Sequence, residues 1–360
     1  MFIFAFIAAA VMSAAACFSA PTAALPAQAS PLPQVSARSC VVIDAVSGDV
    51  LYAQNERERL PMASTTKIMS AYIALQQEGL DAPFVVDSEA IKVEGSSMGL
   101  CEGDTVTLRT LVTGMLLPSG NDAANAAAVR VSGSIESFVG LMNEYAAELG
   151  LDDTHFVTPS GLDDYTDEHF STALDMASLT RTALQNADFR HICGTRSAQV
   201  EFGAPPYKRW LSNTNRLLTG CEGVFGVKTG FTDKARRCLV SACERNGAEL
   251  ICVTLNDPDD WSDHSKLYDY CFGLMQQAEL TPELPGYKIA LAGGEKELLC
   301  TGESSSISLP ASAVGRLERV TLIRPFLYAP VAPGQQVGET RFYLDGRLIR
   351  SLPITAPSAA

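Results

Sequence analysis

Two groups of strand-like segments enclose a long block of helix-like sequence, and this order limits the folds that the chain can adopt. The alternation of apolar and polar residues that is typical of strands covers five segments: residues 40–45, 50–53, 224–231, 237–243 and 249–255. The last two are joined by Asn246-Gly247, a dipeptide that favours a tight hairpin turn. We therefore expect an α+β fold in which helices cover an antiparallel sheet.

The block between the strand groups has the apolar spacing of several helices. Periodicity predicts helices over residues 63–77, 108–117, 123–131, 135–149 and 172–184, and a closing helix over residues 263–277. Pro118-Ser119-Gly120 separates the second helix from the third. We expect a loop at this point, with side chains that can point into a cleft.

The character of the sequence changes near residue 278. Short apolar segments (287–291, 319–323 and 340–344) alternate there with Gly and Pro, which predicts a small all-β domain. The predicted organisation is a signal peptide (1–29), a linker (30–37), a larger domain (38–277), a small β-rich domain (278–355) and a tail (356–360).

An apolar run over residues 2–18 precedes the first charged side chain, Arg38. The small-residue pattern Ala27-Gln28-Ala29 follows, so we expect an exported protein cleaved after Ala29. No Lys or Arg precedes the apolar run, and two alternatives stay open: an uncleaved membrane anchor and lipid attachment at Cys17.

Composition excludes some classes of function. The chain has 27 basic and 41 acidic residues and a net charge of −14, which argues against a nucleic-acid partner. Its 10 cysteines contain no C-x-x-C and its 4 histidines show no metal-ligand spacing, so we expect no zinc or other metal site of Cys and His ligands. Buried thiols are the favoured interpretation of the cysteines, with one or two disulfides left open.

Ser64-Thr65-Thr66-Lys67 places a hydroxyl and an amine one helical turn apart. At a helix start the backbone N–H of Ser64 has no partner within the helix and can bind an oxyanion. Burial and a second cation would lower the pKa of Lys67 towards the range of a general base. Alone, the pattern more often marks a helix-capping serine and a solvated lysine.

Ser119-Gly120-Asn121 lies in the predicted loop. Ser119 could relay a proton between Lys67 and a leaving amine, and Asn121 could donate to or accept from a substrate amide. The competing interpretation is an ordinary turn, because Pro-Ser-Gly-Asn is rich in turn-forming residues.

Lys228-Thr229-Gly230 lies inside an apolar strand, where a lysine is unusual without a partner or a purpose. Lys228 is the candidate second cation, and Thr229 offers a hydroxyl to a substrate carboxylate. Gly230 leaves room for a peptide along the strand, and the N–H of Phe231 is a candidate second oxyanion donor. A solvated edge-strand lysine is the alternative.

These three motifs, in this order, are the signature of penicillin-binding proteins and class A β-lactamases. Over residues 41–274 the chain resembles the low-molecular-weight penicillin-binding proteins, the serine D-Ala-D-Ala carboxypeptidases of the Gram-positive type. Five further segments carry the resemblance: residues 60–63 (Leu-Pro-Met-Ala), 114–118, 159–162 (Pro-Ser-Gly-Leu), 169–173 and 213–215.

The resemblance implies a β-lactamase/transpeptidase-like catalytic domain followed by the family's β-rich C-terminal domain. It implies that Ser64 is the acyl-ester nucleophile, that Lys67 accepts its proton, that Ser119 completes the active site and that Lys228 contacts substrate. The implied substrates are peptidoglycan stem peptides, with β-lactams as inhibitors and no cofactor.

Three features depart from the family pattern. Thr158 stands where the family usually has Asn, and Arg236 stands where a Gly is expected after Ala235. The family's amphipathic C-terminal helix is not seen, which leaves peripheral membrane association open.

Three rival functions remain. A class A β-lactamase needs Glu-x-x-x-Asn between the second and third motifs, and no Glu in that interval has an Asn four residues on. A penicillin sensor would need a signalling segment in the membrane, and a non-catalytic wall-binding protein would bind muropeptides without releasing D-alanine.

Overall fold

The computed structural model describes residues 31–292 and 296–357, together with the backbone of Ala10–Ala14. The predicted cleavage after Ala29 and lipid attachment at Cys17 lie outside the described residues, as does most of the predicted signal peptide. The chain divides into two compact units, one holding Ser30–Arg245 and Glu249–Gly273, the other Ala10–Ala14, Asn246–Ala248 and the chain from Leu274. The main part of the second unit thus begins slightly before the predicted boundary at residue 278.

The strands are β1 (Ala10–Ala14), β2 (Ser39–Asp44), β3 (Val50–Gln54), β4 (Phe84–Val85), β5 (Thr105–Val106), β6 (Ser197–Gly203), β7 (Pro206–Ser212), β8 (Val224–Thr232), β9 (Arg236–Arg245), β10 (Ala248–Leu255), β11 (Met275–Leu280), β12 (Tyr287–Ala292), β13 (Glu297–Gly302), β14 (Ser305–Pro310), β15 (Leu317–Ile323), β16 (Phe326–Tyr328), β17 (Gln336–Leu344) and β18 (Arg347–Thr355). The helices are a 3-10 turn (Ala63–Thr66), α1 (Lys67–Ala74), α2 (Leu108–Leu116), α3 (Asn121–Ser132), α4 (Ile135–Glu148), α5 (Ala173–Ala183), α6 (Ala187–Gly194), α7 (Leu217–Gly220), α8 (Asp260–Phe272) and α9 (Ala311–Val314).

A five-stranded sheet in the order β3-β2-β10-β9-β8 forms the centre of the first unit, and its paired strands are antiparallel. Strand β9 shows how both faces are covered, because successive side chains point to opposite faces. Ser241 bonds to His264 and Tyr268 of α8, whereas its neighbours Val240 and Ala242 join the large apolar core. The predicted sheet between helices is therefore confirmed.

The helical face of the sheet carries the larger core. Helix α1 packs against α2, α3 and α5, and the 3-10 turn before it packs against β8 and β9. Most of α1 is buried, including the polar Lys67 and Ser70. The sheet and the helix bundle thus hold the start of α1 between them, which is where the first motif lies.

The structure corrects two parts of the element prediction. The closing helix ends at Phe272 instead of residue 277, and β11 follows it and pairs with β14. The sequence could not show this, because the partner of β11 lies further along the chain. The hairpin of β6 and β7 was not predicted because its side chains are mostly exposed or half-buried, so they lack a clear apolar alternation.

The second unit is all-β apart from the single turn α9, as expected. Its larger sheet has the order β1-β15-β17-β18-β13-β12-β16, and β11 and β14 form a separate pair. A small core in this unit buries Tyr287, Ile289, Leu327 and Ile354. None of the helices in the described part of the chain has the length and apolarity needed to cross a membrane.

Candidate active site

Ser64 is the second residue of the 3-10 turn that leads into α1, as the first motif predicts. The Nζ of Lys67 lies 2.8 Å from the Ser64 Oγ. The same amine donates to the Asn121 Oδ1 at 2.7 Å and to the Ser160 carbonyl at 2.6 Å. Two other segments of the chain, at Asn121 and Ser160, therefore hold the amine beside the serine hydroxyl.

The Lys67 amine is fully buried, and this controls its charge. Burial lowers the pKa of Lys67 well below its usual range, and the positive charge of Lys228 lowers it further. The Asp122 carboxylate opposes the shift but is the smallest of the three causes. A neutral Lys67 amine has a lone pair that can accept the proton of Ser64.

The second motif begins α3. Ser119 has a φ of 67° and is largely buried, yet it lines the groove beside Ser64. Asn121 is more enclosed: its Oδ1 accepts from Lys67 and its Nδ2 donates to the Glu94 carbonyl at 2.7 Å. The structure therefore places Asn121 on the Lys67 amine, and its contact with a substrate amide stays a prediction.

The third motif lies on β8, an edge strand of the five-stranded sheet. Lys228 is 1% exposed, so the alternative of a solvated edge lysine is wrong. Burial lowers the pKa of Lys228 to about 7. The Thr229 hydroxyl faces the Thr214 hydroxyl at 2.7 Å, and Phe231 is exposed at the groove.

Two glycines allow the backbone to close around Ser64. A Cβ on Gly161 would lie 2.0 Å from the Ala63 carbonyl oxygen and 3.0 Å from the Ser64 nitrogen. A Cβ on Gly230 would lie 3.1 Å from the Ser64 nitrogen and from the Met62 carbonyl oxygen. The missing side chain of Gly230 therefore leaves room for the backbone of the turn that contains Ser64, and a substrate peptide along the strand stays a prediction.

A groove of about 320 Å³ joins these residues. Its lining includes five of the residues singled out from the sequence: Ser64, Ser119, Thr229, Gly230 and Phe231. Sequence reasoning missed the rest of the wall, which comprises Ser96, Thr214, Arg216, Arg237, Asp260 and Trp261.

One end of the groove carries a fixed ion pair. Arg237 donates to the Asp260 carboxylate at 2.5 Å, and its guanidinium lies 5.1 Å from the centre of the Trp261 ring. Arg216 is exposed and has no ion-pair partner among the described side chains. The mouth of the groove thus carries a free positive charge, although the whole chain is acidic.

Thr158 and Arg236, the two residues that depart from the family pattern, lie in different backbone environments. The Thr158 hydroxyl accepts from the Gly161 N–H and donates to the Leu162 carbonyl, both at 3.0 Å, so it stabilises the turn as an Asn could. Arg236 has a φ of 60°, which is a conformation that favours glycine.

A sequence model of a family described as D-alanyl-D-alanine carboxypeptidase matches residues 26–259. The chain belongs to this family. A D-alanyl-D-alanine carboxypeptidase of Escherichia coli strain K12 is 35% identical over 93% of this chain and 87% of its own length. One from Bacillus subtilis strain 168 is 31% identical over 89% of this chain and 85% of its own length. The crystal structure of D-alanyl-D-alanine carboxypeptidase from Mycobacterium tuberculosis H37Rv has a TM-score of 0.65 at 34% identity, covering 70% of this chain and 97% of that one.

Family membership confirms the resemblance and the fold class that the sequence predicted. It also confirms the expected activity, that of a serine D-alanyl-D-alanine carboxypeptidase. The roles of individual residues in this carboxypeptidase do not follow from family membership alone, because they depend on the geometry of the site.

Proposed function

We propose that this carboxypeptidase removes the terminal D-alanine from peptidoglycan stem pentapeptides through an acyl-enzyme on Ser64. The observation that carries the proposal is the buried Lys67 amine, 2.8 Å from the Ser64 hydroxyl, with a lowered pKa. A neutral amine at this position is the base that a serine nucleophile requires.

In the acylation step the Ser64 Oγ attacks the carbonyl carbon between the two D-alanines while Lys67 takes the hydroxyl proton. The carbonyl becomes an oxyanion, for which the N–H groups of Ser64 and Phe231 are the proposed donors. Phe231 follows the edge-strand residue Gly230, which packs against the Ser64 peptide. This contact supports a site in which the two donors lie on adjoining backbone segments.

Collapse of the oxyanion breaks the C–N bond, and the departing D-alanine amine needs a proton. Ser119 lines the groove, and its hydroxyl makes no hydrogen bond within the described part of the chain. We propose that it passes the proton from the Lys67 ammonium to the amine. Lys67 is then neutral again and can activate the water that hydrolyses the acyl-enzyme, releasing the shortened peptide.

The substrate carboxylate requires a positive, hydrogen-bonding end of the groove. Thr214 and Thr229 present adjacent hydroxyls there, Lys228 lies one residue before Thr229, and Arg216 adds an unpaired cation. We propose that these groups hold the terminal carboxylate, and that the same groups accept the carboxylate of β-lactams that acylate Ser64.

The rival β-lactamase function needs a carboxylate to activate the deacylating water. Asp260 lines the groove, but its carboxylate is held by Arg237. Slow hydrolysis of the penicilloyl-enzyme is therefore expected. We also propose that the enzyme is exported and works on the cell wall, and the N-terminal sequence of the secreted protein tests cleavage after Ala29.

The test is release of D-alanine from a pentapeptide ending in D-Ala-D-Ala. Wild type is compared with Ser64→Ala and with the control Ser178→Ala, whose hydroxyl only bonds to the Leu174 carbonyl within α5. We expect release by wild type and the control and none by Ser64→Ala. Equal release by all three would refute the mechanism, and rapid turnover of nitrocefin would favour the β-lactamase.

A further inference from the structure

His169 is buried beside the 3-10 turn that contains Ser64, yet no step of the proposed reaction uses it. It is 1% exposed and lies just before α5. Its ring contacts Phe156 edge to face, with centroids 6.1 Å apart. A histidine that only fills a core needs no polar contact near the reacting serine, and this one has two.

The contacts determine which ring nitrogen carries the proton. The Val157 N–H donates to the His169 Nδ1 at 2.9 Å, so Nδ1 is an acceptor. Burial lowers the pKa of His169 to about 3, which leaves the ring neutral at ordinary pH. The single proton of a neutral ring must then lie on Nε2.

The Nε2 proton is directed at Thr66. The His169 Nε2 lies 2.8 Å from the Thr66 Oγ1, and that hydroxyl donates its own proton to the Ala63 carbonyl oxygen at 2.8 Å. A hydroxyl has one proton, so accepting from His169 aligns it to donate to Ala63. The three groups form a chain in which each donor has one acceptor.

The end of this chain is the peptide group that contains the Ser64 N–H. In a trans peptide the carbonyl and the N–H point in opposite directions, so fixing the Ala63 carbonyl fixes the direction of the Ser64 N–H. Ala63 has a φ of 48°, an unfavourable conformation that surrounding contacts must maintain. Gly161 closes the other side of the same carbonyl.

We propose that His169 is a positioning residue that acts through Thr66 to aim the Ser64 N–H into the groove as an oxyanion donor. The inference rests on the proposed function, in which that N–H stabilises the tetrahedral intermediate. It assigns His169 a task in the reaction although the ring lines no part of the groove.

The test uses two matched pairs of variants. Thr66→Val removes the hydroxyl and keeps the shape, whereas Thr66→Ser keeps the hydroxyl. The amide nitrogen of His169→Gln can take the place of Nε2 and still reach Thr66. The amide oxygen of His169→Asn can take the place of Nδ1 and still accept from Val157. Each is measured for kcat, KM, acylation by a fluorescent penicillin and thermal stability.

We expect Thr66→Val and His169→Asn to lower kcat and acylation by about 10- to 100-fold with little change in KM, because neither side chain lines the groove. Thr66→Ser and His169→Gln should recover most of the rate. The double variant Thr66→Val/His169→Asn should be no slower than the slower single variant, because both break one chain of contacts.

Wild-type kcat in both Thr66→Val and His169→Asn would overturn the proposal. It would also be overturned if the loss of kcat across the four variants followed the loss of thermal stability and did not depend on whether the contact between His169 and Thr66 is kept. If the variants do not fold, the imidazole ¹⁵N spectrum of wild type decides, and a proton on Nδ1 would overturn it. Failure of the proposed function looks different, since wild type and Ser64→Ala would then release D-alanine equally.

Discussion

Gly161→Ala should disable the carboxypeptidase although it removes no group that reacts. The added Cβ would lie 2.0 Å from the Ala63 carbonyl oxygen, whereas real Cβ atoms essentially never approach closer than 3.0 Å. The backbone around Ser64 must therefore move by about 1 Å, and a misplacement of that size costs roughly 100-fold in rate. Gly161 also has a φ of 91°, and the left-handed conformation costs an alanine about 1–2 kcal/mol.

Two other glycines give a graded comparison. A Cβ on Gly230 would meet its nearest atoms at 3.1 Å, so Gly230→Ala requires a shift of only a few tenths of an ångström. We expect a smaller loss there, roughly 10-fold. Gly140 lies on the exposed side of α4 with nothing within 4 Å of its Cβ position, so Gly140→Ala should keep the rate and stabilise the helix by about 0.5–1 kcal/mol.

The assay is the second-order rate of Ser64 acylation by a fluorescent penicillin, normalised to the folded fraction measured by near-UV circular dichroism. The rates should fall in the order wild type and Gly140→Ala, Gly230→Ala, Gly161→Ala. A folded Gly161→Ala variant that acylates at the wild-type rate would show that the position of the Ala63–Ser64 peptide does not limit the reaction.

Three further predictions follow from single residues. Because the pKa of Lys228 is about 7, its positive charge is lost as the pH rises through that value, so KM for an anionic peptide should rise above pH 7 in wild type and stay flat in Lys228→Arg. Arg236→Gly should raise the melting temperature, because glycine removes about 1 kcal/mol of left-handed strain. The entropy that glycine adds to the unfolded chain offsets only part of this gain, so an unchanged or lower melting temperature would contradict the prediction. Burial lowers the pKa of His264 from 6.5 to about 3, so between these values the unfolded state binds more protons and stability falls as the pH falls. The urea midpoint of unfolding should therefore drop less between pH 7 and pH 4.5 in His264→Gln than in wild type. An equal drop in the two proteins would refute this prediction.

The parts of the fold that the sequence predicted well are those set by local patterns. The tight turn at Asn246-Gly247 does join two paired strands, β9 and β10, and α2 and α5 begin and end close to the predicted residues. The closing helix was extended too far because residues 275–280 carry no local signal for the distant strand β14. The paired residues lie 25 (Leu280 and Ser305) to 35 (Met275 and Pro310) positions apart in sequence, and local periodicity carries no information about such a partner.

The residues of the active site were likewise predictable only where a local pattern marks them. Ser64 and Lys67 were predictable because one helical turn separates them, and their 2.8 Å contact follows from that spacing. The contact between Lys67 and Asn121 was not predicted, because it joins residues far apart in sequence. Arg237 and Trp261 were missed for the same reason: neither belongs to a motif, and each reaches the groove from an element whose own pattern indicates only a strand or a helix.

The chemistry of the site depends on the fold more than on the motif that marks it. On an isolated helix the Lys67 amine would have its ordinary pKa near 10.5 and would be protonated at neutral pH. It can act as the proposed base only because the fold buries it: Asn121 of α3 and the loop residue Ser160 contact the amine, and strand β8 packs against the turn that contains Ser64. Burial is the largest cause of its lowered pKa. The loop and the strand can approach so closely only where Gly161 and Gly230 lack side chains. In the proposed mechanism the two glycines are therefore as necessary to the acyl-enzyme as the serine and the lysine.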